Sequence, residues 1–279
     1  MRMANVGGRA AISTGGAWID LEAASEGRFS ADPQAAYGQV ADIRDWVGDG
    51  LPADAPEATG ELGVPVPMPR QLIAIGLNYR EHAIESNLAI PEHPVVFTKF
   101  QSSLVGPGAT VTLPSDGVDW EVELVVVIGK EGHQIPAAEA WDHVAGLTVG
   151  QDLSWREVQG RGPAPQFAMG KSYPGFSPLG PYVVTVDEFA DKDDLAISCA
   201  LDGEVLQECR TSDLIFPVAD LIARLSEALT LYPGDLIYTG TPKGVGMGRE
   251  PKRFLVPGEL VSSIEGIGDL SITLVGKAD

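Results

Sequence analysis

What this chain lacks narrows it quickly. It has only two cysteines, Cys199 and Cys209, in 279 residues, too few for a disulfide-stapled scaffold. The two flank an Asp202-Gly203 pair that reads as a two-residue hairpin turn. With Leu201 opposite Glu204, Cys199 is expected to face Leu206 rather than Cys209, leaving free thiols suited to a reducing compartment. Histidine is equally sparse, and His82, His93, His133 and His143 show no paired ligand spacing, which disfavours zinc. Positive charge is short as well: 19 basic residues face 39 acidic ones, for a net charge of −20. Such a field repels nucleic acid and anionic membranes. An anionic ligand would have to be drawn in by a metal, a lysine or an arginine placed locally. No run of about 18 apolar residues is present, and residues 1–16 lack the cationic start and apolar core of a signal peptide. A cytoplasmic protein is expected, with neither membrane nor nucleic acid among its partners.

What is present is a chain 44% hydrophobic and 21% charged, able to bury a full core. Residues 1–68 read as a small N-terminal unit, with β-like pieces at Ala10–Ser13 and Ala17–Leu21 and a weak helix at Gln34–Val47. A proline-loaded linker or strap over 51–70 closes that unit. Residues 69–279 are dominated by short strands, at Leu72–Gly76, Val95–Lys99, Glu121–Ile128, Leu147–Gly150, Tyr182–Thr185, Ile197–Leu201, Val205–Cys209, Leu236–Thr239 and Leu270–Val275. The clearest helix is Phe216–Leu229, with Val218, Leu221, Ile222 and Leu225 on one face. Strands separated by turns predict a β-rich α+β fold, not a doubly wound sheet.

The most informative stretch is Asp119–Gly129, Asp-Trp-Glu-Val-Glu-Leu-Val-Val-Val-Ile-Gly. Alternate side chains of a strand share a face, so Glu121 and Glu123 point the same way, followed there by Val125 and Val127. Two carboxylates aimed at an apolar interior repel each other and lose hydration, and a hard divalent cation would answer both problems. On the pair alone, an acidic exposed strand face stays open. Asp152 follows a second apolar strand. Ser154 and Glu157 form a better helix-capping box there, which frees Asp152 as a third oxygen ligand for Mg²⁺ or Mn²⁺.

His82 and Glu85 lie one helical turn apart, so the carboxylate can orient the imidazole, although a polar helix face would look the same. Lys171 follows a glycine in Gly-Lys-Ser, but Pro165 stands where a phosphate-binding loop needs its first glycine. That lysine is either solvated or placed to neutralise a substrate oxygen. The Thr239–Gly246 segment is a rigid glycine-rich turn with no dinucleotide fingerprint.

Together these segments resemble the fumarylacetoacetate hydrolase family, and within it the acylpyruvate hydrolase and oxaloacetate decarboxylase-like members. The resemblance runs from about Leu72 to Leu274. It is carried by Asn-Tyr-x-x-His-x-x-Glu at 78–85, Phe-x-Lys at 97–99, Glu-x-Glu-Leu at 121–124, Asp-x-Ser-x-Arg at 152–156, Lys-Ser at 171, Thr-Ser-x-Leu-Ile-Phe at 211–216 and Gly-Asp-x-Ile-x-Thr-Gly-Thr-Pro-x-Gly-Val-Gly at 234–246. It implies a mixed β-sandwich roll with a small N-terminal domain, usually homodimeric. Glu121, Glu123 and Asp152 would be the Mg²⁺ or Mn²⁺ ligands. His82 and Glu85 would be a catalytic dyad on a lid-like segment, and Lys171 an active-site lysine. Tyr79, Arg156, Gln159 and Thr241 would touch substrate.

The implied activity is hydrolysis of a C–C bond in a small anionic 2,4-dioxo acid, of the kind met in aromatic catabolism. Oxaloacetate-type decarboxylation and 2-hydroxy-diene-dioate isomerisation are alternatives on the same site. A protein that merely holds a structural cation is the non-enzymatic alternative. Trp155, Glu157 and the Gly/Pro-rich 160–167 loop depart from the family pattern and bear on substrate choice.

Overall fold

A computed structural model describes residues 1–277 of the chain. Its centre is a ten-stranded mixed sheet whose middle strands are Val144–Gln151, Val122–Ile128 and Leu236–Tyr238. All seven residues of Val122–Ile128 are buried, as expected of a strand covered on both faces. Val122, Leu124, Val126 and Ile128 enter one core with Ile197, Leu260 and Ile272 of a second, five-stranded sheet. That is sandwich packing, with apolar side chains interdigitating between two sheet faces. Val125 and Val127 enter the other core, with Leu72, Leu236 and Tyr238. The acid-bearing face of the Glu121–Ile128 segment therefore looks into the protein and not into solvent. Helices are short, the apolar faces of Val218–Ser226 being buried through Val218, Leu221, Ile222 and Leu225.

The N-terminal residues are joined to this frame. Arg2–Val6 pairs antiparallel with Ser177–Val184, and Met3, Ile12, Tyr37 and Ile43 share the core that contains Val125 and Leu236. The expected helix over 34–47 is interrupted: Pro33–Ala36 and Val40–Gly48 are separated by a 3-10 turn at Tyr37–Gln39. Gly38 falls in that turn, where it weakens a continuous helix. The proline-rich stretch is an extended strap, with Glu57 bridged to Ile19 and Leu62 to Val6.

Two local expectations are corrected. Ser154 caps no helix; it pairs with Asp119 in a two-stranded ladder, and the following helix, Arg156–Gln159, begins after Trp155. Its hydroxyl donates to the Asp152 carbonyl instead (2.9 Å). Cys199 faces Gln207 and not Leu206, because a bulge follows Cys199 while Leu201 stays opposite Glu204. The turn itself is as expected, with positive φ at Asp202 (48°) and Gly203 (84°), and both cysteines are free. The bulge has a structural effect. Leu206 and Gln207 are both buried, so a polar side chain is redirected inward, as bulges commonly do.

Candidate active site

The acidic cluster forms because two antiparallel strands deliver it. Gly150 lies opposite Glu123, and the Asp152 amide donates to the Glu121 carbonyl at 2.9 Å. Carboxylate oxygens of Glu121, Glu123 and Asp152 consequently gather within 4.8 Å of one another. Their residues are 5%, 1% and 0% exposed, respectively, which rules out the acidic surface face. Gly240 (φ 100°) closes from behind, its N–H donating to Glu123 Oε2 at 2.7 Å. A Cβ there would stand 2.8 Å from that of Asn78, so the approach needs glycine.

Three buried cations offset the acids. Lys171 Nζ donates to Glu121 Oε2 (2.7 Å) and Asp152 Oδ2 (2.5 Å). Lys99 Nζ donates to Asp152 Oδ1 and to the carbonyls of Lys171 and Phe176, a set that uses all three N–H bonds of an ammonium. Arg156 Nη2 lies 2.7 Å from both Glu121 Oε1 and Asp119 Oδ2. Burial raises the Glu121 carboxyl, but Lys171, Arg156 and His82 outweigh it and bring it down to about 2. For Glu123 the balance is reversed, the pull of Lys171 and the Gly240 N–H being too weak to offset the rest. Burial, then Asp152 and Glu121, push it well above the usual carboxylate range. Burial pulls Lys99 down against the attraction of Asp152, while Asp152 and Glu121 overcome burial to raise Lys171. A cation among the three carboxylates would remove the repulsion felt by Glu123. The donors are all oxygen and anionic, which fits Mg²⁺ or Mn²⁺ and not a thiol- or imidazole-seeking metal.

Glu121, Lys171 and Arg156 open onto one cleft, while Glu123, Asp152 and Lys99 are buried outside its lining. Glu121, Lys171, Arg156, Gln159, His82 and Thr241 supply its polar surface, and Ile75, Leu77, Leu88, Phe97, Phe167 and Met247 its apolar surface. His82 stands on the short helix Arg80–Glu85, with Nδ1 3.3 Å from Glu85 Oε2. Both oxygens of Glu85 accept from the Gly244 N–H, at 3.0 and 3.1 Å, so the carboxylate behind the imidazole is itself fixed. The Thr241 hydroxyl donates to the Val122 carbonyl and accepts from Gln207 Nε2, each at 2.9 Å. Gln159 Oε1 accepts from Arg156 Nη1 at 3.0 Å.

Eight of the ten residues singled out from sequence therefore line the cleft or belong to the acidic cluster, and Glu85 adjoins them through His82. Tyr79 does not line the cleft. The residue is buried (1% exposed) and is among those bordering a neighbouring surface pocket, with Arg80, Cys209 and Asp213.

Four contributors carried no assigned role in the sequence reading: Lys99, Asp119, Gln151 and Gln207. Gln151 Oε1 accepts from the Glu121 N–H and Gln207 Oε1 from the Val122 N–H, bracing the strand that bears the ligands. Lys99 sat in the Phe-x-Lys motif and Asp119 two residues before Glu121, and a charge inside an apolar run was the available signal.

Residues 71–275 match the fumarylacetoacetate (FAA) hydrolase C-terminal family. The chain belongs to that family. Among curated relatives, human oxaloacetate tautomerase FAHD2A, mitochondrial, is 48% identical over 207 residues, 73% of this chain and 66% of the relative's own length. The rat Fahd2a protein of the same name is 47% identical over the same span. The chain thus spans just under two thirds of these relatives. Among solved structures, a Mycobacterium smegmatis protein labelled HpcE is 53% identical over the full length of both chains, with a TM-score of 0.95. A maleylpyruvate hydrolase from Sphingobium sp. SYK-6, solved with manganese(II) and pyruvate, is 28% identical over all of both chains, with a TM-score of 0.81. Family membership accords with the sandwich of mixed sheets, and the relatives and the manganese-bound neighbour named here are enzymes of small organic acids.

Proposed function

We propose that this protein is a divalent-metal-dependent hydrolase that cleaves a C–C bond of a 2,4-dioxo acid of the acylpyruvate or fumarylpyruvate type. The observation that carries the reading is the shared cleft, lined by Glu121 and Lys171 of the acidic cluster and by His82, which Glu85 orients. Glu121, Glu123 and Asp152 would hold Mg²⁺ or Mn²⁺, which when bound supplies Lewis-acid polarisation of the substrate's 2-oxo oxygen.

Around that, the chain's own residues do the rest. His82, held by Glu85, takes a proton from water, and the oxygen adds to the C4 carbonyl. Collapse breaks the C3–C4 bond, releasing C4 as a carboxylic acid and leaving the electron pair delocalised from C3 onto the C2 oxygen. Lys171, with its ammonium already aimed into the cluster, stabilises that charge, and the proton held on His82 returns to C3 to give the 2-oxo acid product. Arg156, Gln159 and Thr241 orient the substrate, while the apolar half of the cleft limits stray water.

A second reading has a specific basis, because the curated relatives with nearly half the residues in common are named oxaloacetate tautomerases. Tautomerisation moves a proton between C3 and the 2-oxygen of the same enolate and needs no attacking water. Oxaloacetate decarboxylation and diene-dioate isomerisation use the same electron sink. The purely structural cation site is disfavoured by the open cleft beside the ligands. A homodimer is part of the proposal. So is a reducing compartment: free thiols suit a cytoplasm, and would equally suit the mitochondrial setting named for the vertebrate relatives. Residues 1–68 are taken as an accessory unit, since every proposed site residue lies between 79 and 241.

The test is to add Mg²⁺ or Mn²⁺ with a panel of acylpyruvates, oxaloacetate and unsaturated dioic acids, following loss of enol absorbance and the products formed. A C–C hydrolase yields two acids from an acylpyruvate. Turnover of oxaloacetate alone, without C–C cleavage of any dioxo acid, would move the assignment to the second reading.

A further inference from the structure

We propose that Asp119 is a positioning residue of this active site, which through Arg156 and the 246–247 turn sets the substrate-facing wall beside the three-carboxylate cluster. The inference deepens the functional reading above and rests on its assignment of Arg156 to substrate. Asp119 is fully buried (0% exposed). Its Oδ1 accepts from the N–H groups of Trp120 (2.9 Å) and Gly246 (2.7 Å). Its Oδ2 accepts from Arg156 Nε (2.8 Å) and the Met247 N–H (2.9 Å), with Arg156 Nη2 a further 2.7 Å contact. A carboxylate offers about four lone-pair directions, and here all are taken. Asp119 is therefore neither a free ligand for a cation nor a group able to exchange a proton with substrate.

What it does is divide the attention of a guanidinium. Arg156 also contacts Glu121 Oε1 (2.7 Å) and Gln159 Oε1 (3.0 Å). With Asp119 holding the Nε edge, Arg156 is shared between two acids and its outer edge is presented to the cleft with Gln159. Without it, Glu121 would be the one acid left on the buried guanidinium, beside neutral Gln159, and would be drawn from its ligand geometry. The same carboxylate ties down the turn. A Cβ on Gly246 would stand 2.8 Å from Asp119 Oδ1 and collide with the Arg253 carbonyl, so only glycine allows so close an approach. That turn places Met247 in the cleft wall, and two residues earlier the Gly244 N–H holds Glu85 behind His82. One side chain outside the ligand set thus reaches a metal ligand, the substrate arginine and the support of the dyad.

The test uses the full chain loaded with Mn²⁺. Asp119→Asn keeps the shape but turns an N–H₂ toward a neighbouring donor. It should raise KM and the calorimetric Kd for oxalate, a planar mimic of the enolate, by about 10- to 100-fold, the range seen when partners of metal ligands are removed. Amide exchange at Gly246 and Met247 should quicken. Arg156→Lys, which loses the fork onto Asp119, should shift the oxalate Kd similarly while leaving exchange at 246–247 unchanged. In the double variant the Kd should lie within about twofold of the weaker-binding single, because both changes break one linkage.

A role confined to stability predicts a lower melting temperature with unaltered KM and Kd in the folded fraction, and that result in Asp119→Asn overturns the proposal. Additive effects in the double variant overturn it too. Should Asp119→Asn not fold, wild-type oxalate affinity in Arg156→Lys has the same force. If the wild type turns over none of the candidate substrates, the functional reading fails, and the oxalate titration still decides the part played by Asp119.

Discussion

Lys99 and Asp152 form an ion pair in which neither side chain has any solvent exposure, the ammonium sitting 2.5 Å from Oδ1. The pair links a strand of the large sheet's edge to the cluster and, through the Lys171 carbonyl, fixes the second lysine as well. Its net worth against an apolar pair is small, but breaking it leaves buried Asp152 with one ammonium partner, Lys171, in place of two. Lys99→Met should therefore destabilise the metal-free protein by about 2–3 kcal/mol, below the roughly 3–5 kcal/mol of a fully unpaired buried charge. Mn²⁺ should recover part of that loss by partnering Asp152. Urea unfolding with and without Mn²⁺ measures both effects, and a loss below about 1 kcal/mol would show that Asp152 is neutral or hydrated.

The raised Glu123 carboxyl gives the metal assignment a signature beyond activity. Replacing this group by a neutral isostere removes a repulsion that the metal-free fold must bear. Glu123→Gln should leave the melting temperature of the metal-free protein unchanged or higher, while Mn²⁺ affinity falls by at least about 100-fold. EDTA should abolish wild-type turnover and Mg²⁺ or Mn²⁺ restore it. Full activity after exhaustive chelation, or unaltered Mn²⁺ binding by Glu123→Gln, would remove these carboxylates from the ligand set.

His82 and Lys171 should separate by reaction type. His82→Ala should slow hydrolysis on the order of 10²–10⁴-fold, as for a lost general base. Decarboxylation needs no activated water and should suffer less, whereas Lys171→Met should depress both by weakening the common charge sink. Parallel assays on an acylpyruvate and oxaloacetate provide the comparison, and equal hydrolysis by wild type and His82→Ala would remove His82 from the role of base.

The acidic cluster was legible in the sequence because its signal is local. Period-two spacing puts Glu121 and Glu123 on one face, and the valines after them say that the face is buried. The strand cores and the amphipathic helix around Leu221 were legible for the same reason. What escaped depends on partners distant in the chain. Ser154 looked like a helix cap until its pairing with Asp119 claimed it. A single bulge shifted Cys199 onto Gln207 and sent that glutamine to Thr241. Arg2–Val6 and Gly258–Ile264 have modest β propensity and become strands through Ser177–Val184, Ala196–Leu201 and Gly268–Gly276. Tyr79 adjoins the dyad in sequence, yet it is buried and absent from the lining of the cleft.

The two thiols should be sluggish. Burial pushes Cys199 up to about 12, and burial with the Asp213 carboxylate pushes Cys209 up to about 11. At pH 8 the thiolate fraction is then roughly 10⁻⁴ and 10⁻³, against about a quarter for an ordinary thiol. Iodoacetamide should modify the partly exposed Cys209 slowly and Cys199 only on unfolding, with the rate at Cys209 rising as pH is taken toward 10. Intact-mass spectrometry follows this directly, and complete double labelling within minutes at pH 8 would contradict it.

The segment carrying the dyad should close on ligand. The Arg80–Glu85 helix is held by buried Ala83 and by the bonds of Glu85 to Gly244, but Ile84, Leu88 and Ile90 are 61%, 53% and 42% exposed. Leu88 lines the cleft, and large apolar side chains left in water favour any movement that covers them, at about 25 cal/mol per Å² buried. Such movement would bring His82 against substrate and exclude all water but the nucleophile. Hydrogen exchange over residues 79–90 should accordingly slow when oxalate is added with Mn²⁺, more than with Mn²⁺ alone. Slowing by Mn²⁺ alone would place the effect in the ligand cluster and not in closure. Equal protection with and without both would mean that the dyad stands ready before substrate arrives and that no lid operates.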